Sequence, residues 1–142
     1  MSLRAWNTIR FALALLGLAA SLYLVIVQAT TGVPLGCPET GLVNCEQVLT
    51  HPSSRLLGIS LSWWGVAWFL VALGLIGGAL AGRRRPLLLR ADLAWMLLGA
   101  LSVLYFVYLE FWVIDAICLW CTAVHLIVLA MFMVRVAIEG RR

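Results

Sequence analysis

Ile117-Cys118-Leu119-Trp120-Cys121-Thr122-Ala123-Val124-His125-Leu126 opens a stretch that runs on to Ile138 with Arg135 as its only charged residue. Such a run is close to the ~20 apolar residues that a membrane-spanning helix needs. In lipid the backbone must satisfy its own hydrogen bonds, so the stretch reads as a helix rather than a strand. Three runs of the same kind precede it, over residues 9–27, 59–81 and 93–112, and the fourth covers 117–138. Composition agrees, with 64% hydrophobic and 11% charged residues among 142. A soluble domain carries about a quarter charged residues, so lipid must cover much of this surface. The expected fold is an all-α integral membrane protein, a four-transmembrane-helix bundle forming one domain over residues 1–142. Arg4 and Arg10 ahead of the first run also fit a secretory signal peptide. That run continues past Leu18-Ala19-Ala20-Ser21 to Val27, which favours a retained helix.

The formal charge of +4 is gathered in clusters between the apolar runs, not spread as a phosphate-binding stripe, so nucleic acid is not an expected partner. Arg4 and Arg10 flank the first run, and Arg83, Arg84, Arg85 and Arg90 lie between the second and third. Arg135, Arg141 and Arg142 close the chain. The loop 28–58 carries Glu39, Glu46 and Arg55, and the short third loop is assigned Glu110 and Asp115 with no base. Basic residues on alternate loops mark the cytoplasmic side. The expected location is a cell (inner) membrane, crossed several times, with both termini cytoplasmic. Gly74, Gly77 and Gly78 are expected at close helix contacts.

This topology places every cysteine on the outer face. Cys37 and Cys45 fall in the loop 28–58, and Cys118 and Cys121 fall at the outer start of the fourth helix. That side is oxidising, where disulfides persist. A helix N-terminus stabilises a thiolate through its dipole and free N–H groups, which suits the CxxC to redox work. Cys118, Cys121 and His125 share one helix face by spacing. Cys37 and Cys45 bracket a turn-rich segment containing Pro38 and Gly41, so a mobile pair stands beside a fixed one, as thiol–disulfide relay requires. Two other readings of the same residues stay open. One is a pair of structural staples, although a nine-residue loop contributes only about 2.6 kcal/mol. The other is zinc held by four thiolates, for which the first spacing is wide and the setting poor. No metal is expected.

The order of these features resembles the vitamin K epoxide reductase family in its bacterial, quinone-linked form. An outer-loop cysteine pair comes first, then Gly58-Ile59-Ser60-Leu61-Ser62-Trp63-Trp64-Gly65 entering the second helix, then CxxC opening the fourth. The resemblance covers essentially the whole chain. It implies a bundle around a quinone pocket, capped by a short half-helix in the first outer loop that would begin around Glu46 to Leu49. It also implies electron transfer from a thioredoxin-fold (DsbA-like) protein to a quinone of menaquinone, ubiquinone or vitamin K type. Relatives often carry a fused thioredoxin-like domain; this chain ends at Arg142, so a separate partner is expected. DsbB-type oxidases also have four helices, but their CxxC precedes the spaced pair, the reverse of the order here.

The resemblance assigns roles position by position. Cys37 is the outer shuttle cysteine that meets the partner, and Cys45 the inner one that attacks the CxxC. Cys118 receives that attack, and Cys121 reacts with the quinone. His125, one turn beyond Cys121, takes the position of a hydrogen-bond donor to a quinone carbonyl. Trp120, inside the CxxC, is expected to shield the site, with Asn44, Ser62 and Tyr108 as further pocket candidates. Trp63, Trp64 and Trp112 are read first as interfacial anchors. The sequence departs from the family pattern at Ser60, where many relatives have proline, and at His51, where a small pocket-lining hydroxyl residue is usual.

Overall fold

The computed structural model describes residues 2–83 and 85–141. Arg84 and Arg142, counted above among the cytoplasmic bases, lie outside the described residues. Four helices are long and apolar enough to cross a membrane. These are α1 (Leu3–Ala29), α3 (Leu61–Leu80), α4 (Pro86–Tyr108) and α5 (Leu119–Glu139). Between α1 and α3 lie α2 (Cys45–Thr50), a 3-10 turn (Pro52–Ser54) and a two-stranded hairpin of β1 (Arg55–Leu56) and β2 (Ile59–Ser60). The expected half-helix is α2. α1 packs on α3 and α5, and α4 packs on α3 and α5, which closes the bundle into a ring. Its centre is filled by Ala14, Phe69, Ala72, Ile76, Met96 and Met131.

Local chemistry sets the ends. The Ser2 hydroxyl caps α1 by accepting from the Ala5 N–H at 3.2 Å, which satisfies one of the orphan donors of a first turn. Pro86 opens α4, where its missing N–H costs nothing. The helices overrun the expected apolar runs: α1 begins at Leu3 rather than at residue 9, and α4 at Pro86 rather than 93. At its far end α4 passes into a π-helical turn, Leu109–Ile114, which stops at Asp115 in the left-handed conformation (φ 55°). Glu110 is therefore not a loop residue. It belongs to this helical extension and is buried.

Two expectations are corrected by packing. Arg10 and Arg135, read as solvated topology charges, are drawn inside the bundle. Both guanidiniums bind Asp92 of α4, Arg10 at 2.6 Å and Arg135 at 2.7 Å. The basic residues left in solvent at that end are Arg4, Arg83, Arg85, Arg90 and Arg141. The close glycine contacts also lie elsewhere. Gly74 and Gly78 have open space where a side chain would begin, and at Gly77 the nearest neighbour, Phe11, would be at an ordinary 3.9 Å. A Cβ would instead collide with the Phe69 ring at Gly17 and with the Trp68 ring at Gly99, and at Gly65 it would come within 2.9 Å of the Ser21 hydroxyl.

Candidate functional site

All four cysteines gather at the end of the bundle opposite the Asp92 network. Cys118 is the N-cap of α5, and its Sγ accepts from the Cys121 N–H at 3.2 Å. The CxxC is thus wound into a first helical turn, as its spacing suggested. Cys37 and Cys45 are joined by a disulfide, and Cys118 and Cys121 are free thiols. Among the described residues no cluster of His, Cys, Asp or Glu side chains is arranged to hold a metal ion.

Backbone pairing brings the two cysteine pairs together. The Asn44 N–H donates to the Ile117 carbonyl at 3.0 Å, and the Ile117 N–H donates to the Leu42 carbonyl at 2.8 Å. Asn44 precedes Cys45 and Ile117 precedes Cys118, so one short ladder sets the pairs side by side. Cys37, Cys45 and Cys118 share a small buried cluster with Val48, Leu109 and Ile114. α2 is lashed over the bundle from both sides: Gln28 of α1 donates to the Leu49 carbonyl at 3.0 Å, and Gln47 donates to the Ile114 carbonyl at 2.9 Å.

Beneath α2 lies a largely apolar cavity of about 420 Å³. That is within the usual range for a small-molecule site. Cys121 lines it and Cys118 does not. The CxxC is therefore split: both its cysteines pack with Cys37 and Cys45, and Cys121 is the one that also faces the cavity. His125 lines the cavity one turn further along α5, with its ring stacked on Phe106 at 6.0 Å between centroids. Ser62 also lines it.

Other candidates sit away from the cavity. Asn44 caps α2, its side-chain oxygen accepting from the Gln47 N–H at 2.9 Å. Trp120 donates its indole N–H to the Leu35 carbonyl at 2.9 Å and packs on Tyr23. It therefore pins the segment leading to Cys37 rather than lining the cavity. Tyr108 is exposed and stacked on Trp112. His51 accepts from the Ser53 N–H at 3.1 Å and stays outside the cavity. The hydroxyl residue that lines the cavity from this loop is Ser54, three positions later.

The cavity walls add residues that the sequence reading either did not name or placed elsewhere, Trp64 as an interfacial anchor and Glu110 as a loop acid. Trp64, Trp68, Trp95 and Glu110 all contribute. Trp64 and Trp95 spend their indole N–H groups on the Leu56 and Trp68 carbonyls. The Trp68 indole N–H and the Gln28 side-chain oxygen are buried without a partner. A buried donor left unpaired in a cavity wall is costly unless a bound molecule meets it. A flat aromatic acceptor with ring carbonyls fits such walls: aromatic faces for the ring, Trp68 and His125 as donors, and a thiol within the same space.

A comparison with curated proteins gives no match. A family model does match, over residues 8–136, and its description is the vitamin K epoxide reductase family. That span takes in α3, α4 and most of α1 and α5, both cysteine pairs and the residues that line the cavity. The chain belongs to the vitamin K epoxide reductase family of membrane oxidoreductases.

Proposed function

We propose that this protein is a thiol–quinone oxidoreductase that takes electrons from a thioredoxin-fold protein and so supports disulfide formation outside the membrane. The observation that carries this reading is the split CxxC, with Cys118 beside Cys45 and Cys121 in the cavity. Structural staples have no need of a thiol facing a cavity.

The chain's residues would act in turn. A thiolate of the reduced partner attacks Cys37, forming a mixed disulfide and releasing Cys45. Cys45 attacks Cys118, which releases Cys121 into the cavity, where it takes up a proton given up by the partner's thiols. The partner's second thiol displaces Cys37 and leaves as a disulfide. Cys37 then closes on Cys45, which frees Cys118. The pairing seen here, Cys37 with Cys45 and two free thiols in the CxxC, is the arrangement that this order of exchange reaches before the acceptor is reduced. A quinone of menaquinone, ubiquinone or vitamin K type, when bound, supplies the two-electron acceptor, and reclosure of Cys118 on Cys121 delivers those electrons. The protein holds the reacting sulfur near its target and keeps the site dry.

Purified protein given a small dithiol should therefore reduce a quinone. His125 is assigned the donor to the acceptor oxygen, since it lines the cavity one turn from Cys121. Losing one such donor typically slows a reaction by about 10²–10³. His125→Phe keeps the stacking on Phe106 but cannot donate, and should lose that much. His125→Gln and His125→Tyr should retain more. A parent-like rate in the Phe variant would reduce His125 to packing, and a parent protein without turnover would overturn the function itself.

Orientation is proposed on the exposed bases that remain at one end of the bundle, a cytoplasmic signature. In intact cells a membrane-impermeant maleimide should label the reduced cysteines from outside only. Labelling of Cys121 solely after the membrane is breached would invert the topology.

A further inference from the structure

We propose that Glu110 is the proton carrier of this site, receiving protons from the Cys118 and Cys121 thiols and passing them to the acceptor in the cavity. The inference rests on the thiol–quinone reading above and adds a residue to it.

Four observations converge on Glu110. It is 5% exposed although it lies near the end of an apolar helix long enough to cross a membrane. It lines the cavity together with Cys121. Its backbone carbonyl accepts from the Ala116 N–H at 3.0 Å, which holds the segment leading into the CxxC against it. No arginine pairs with it among the described residues; the ion pairs found there all involve Arg10 or Arg135 at the other end of the bundle. An ionisable side chain inside a membrane protein is expensive to keep, and one placed in a cavity without a counter-ion marks a functional site. Its setting is unusual too: π-helical turns are rare and concentrate at functional sites. Val103, Phe106 and Glu110 line the same cavity face of this helix.

Among the described lining residues, Cys121, His125 and Glu110 are the ones that titrate. α1 and α3 contribute hydroxyl, amide and indole groups, such as Ser21, Gln28, Ser62 and Trp68. With His125 assigned to hold the acceptor oxygen, Glu110 is the remaining group able to take a proton from a thiol.

The chemistry balances. When the CxxC dithiol is oxidised, two S–H bonds break, one S–S bond forms, and two electrons and two protons pass to the acceptor. Glu110 as a carboxylate takes the Cys121 proton, leaving a thiolate and a carboxylic acid. It then yields that proton to an acceptor oxygen and returns to the carboxylate. The Cys118 proton makes the same passage as Cys118 Sγ bonds to Cys121 Sγ. Glu110 ends as it began.

Glu110→Gln keeps the volume and the polarity of the side chain but cannot carry a proton. Glu110→Asp keeps the carboxyl. General acid–base groups contribute about 10²–10⁴ in rate. Single-turnover oxidation of the dithiol by quinone should therefore slow at least ~10²-fold in Gln and substantially less in Asp. Thiol exchange between the partner and Cys37 should be unchanged in both. A second readout needs no quinone. Without an acceptor the proton taken from Cys121 stays on Glu110, so infrared difference spectra between the disulfide and dithiol forms of the CxxC should show a carboxylic-acid C=O band in the parent, absent in Gln and displaced in Asp. A parent-like rate in Gln, or a band that survives Glu110→Gln, overturns the proposal. If Gln does not fold, the parent and Asp spectra decide alone: a band displaced by Asp supports the carrier, and no band change overturns it. Failure of the underlying reading looks different, because the parent itself would then not reduce quinone.

Discussion

Replacing Cys121 with serine is expected to reduce quinone turnover to background with every thiol donor, while replacing Cys37 or Cys45 stops only the protein partner. The asymmetry follows from where the sulfurs sit. Cys121 is the cysteine that lines the cavity, so no route to the acceptor bypasses it. Cys37 and Cys45 belong to the outer cluster and have no place in the cavity wall. A small dithiol entering by the cavity mouth can reduce a Cys118–Cys121 disulfide directly, so Cys37→Ser and Cys45→Ser should keep quinone reduction with such a donor. The same variants should fail with a reduced thioredoxin-fold protein, which is too large to enter.

Cys37→Ser carries a sharper expectation. It leaves Cys45 free beside Cys118 and removes the thiol that would resolve their bond. A Cys45–Cys118 disulfide should therefore accumulate when the variant is purified without reductant, and peptide mapping under non-reducing conditions would detect it. The ladder from Leu42 and Asn44 to Ile117 sets the two residues side by side in one buried cluster. Equal loss of small-dithiol activity in all four cysteine variants, with no such crosslink, would sink the relay.

The parts of this site that were legible in the sequence are those fixed by local rules. Chain length and hydropathy place spanning helices, because lipid permits little else. The CxxC at the edge of an apolar run announces its own helix cap, and His125 follows on the same face. What escaped depends on distant partners. Asp92 stood one residue before the third apolar run, where a charge looks like a flank. Only the fold reveals Arg10 and Arg135 converging on it from residues 82 and 43 positions away. Glu110 was counted with Asp115 as a loop acid, because two acids close together at the end of an apolar run look like an exit to water. The spacing from Val103 through Phe106 held the contrary signal, since it keeps residue 110 on the inward face. The tight glycines followed the same logic: Gly74, Gly77 and Gly78 are close in sequence, but contact is decided by which helix face meets a large ring, and Gly17 and Gly99 meet Phe69 and Trp68.

Asp92 carries the second large expected effect, on the fold rather than the chemistry. It accepts from Arg10 at 2.6 and 3.0 Å and from Arg135 at 2.7 Å, so one carboxylate joins α1, α4 and α5. Arg135 also donates to the Leu89 carbonyl and to Glu139. Both guanidiniums are almost fully buried. Burying such a network gains little over apolar packing, but removing one partner strands the others, at about 3–5 kcal/mol. Asp92→Ala or Asp92→Asn should therefore destabilise the bundle by about that much, because two buried cations would be left with the half-exposed Glu139 as their counter-charge. Glu139 is half-exposed on its side chain, so Glu139→Gln should cost no more than ~1 kcal/mol. Replacing the whole triad, with Arg10→Met, Asp92→Leu and Arg135→Met together, should recover most of what the single Asp92 variants lose. Thermal unfolding of each variant in detergent measures these differences. An Asp92→Asn protein within ~1 kcal/mol of the parent would show that its charge is not what holds the three helices together. Quinone reduction by the folded fraction should be preserved in every one of these variants, since the cysteines lie at the opposite end of the bundle and Asp92, Arg10 and Arg135 do not line the cavity.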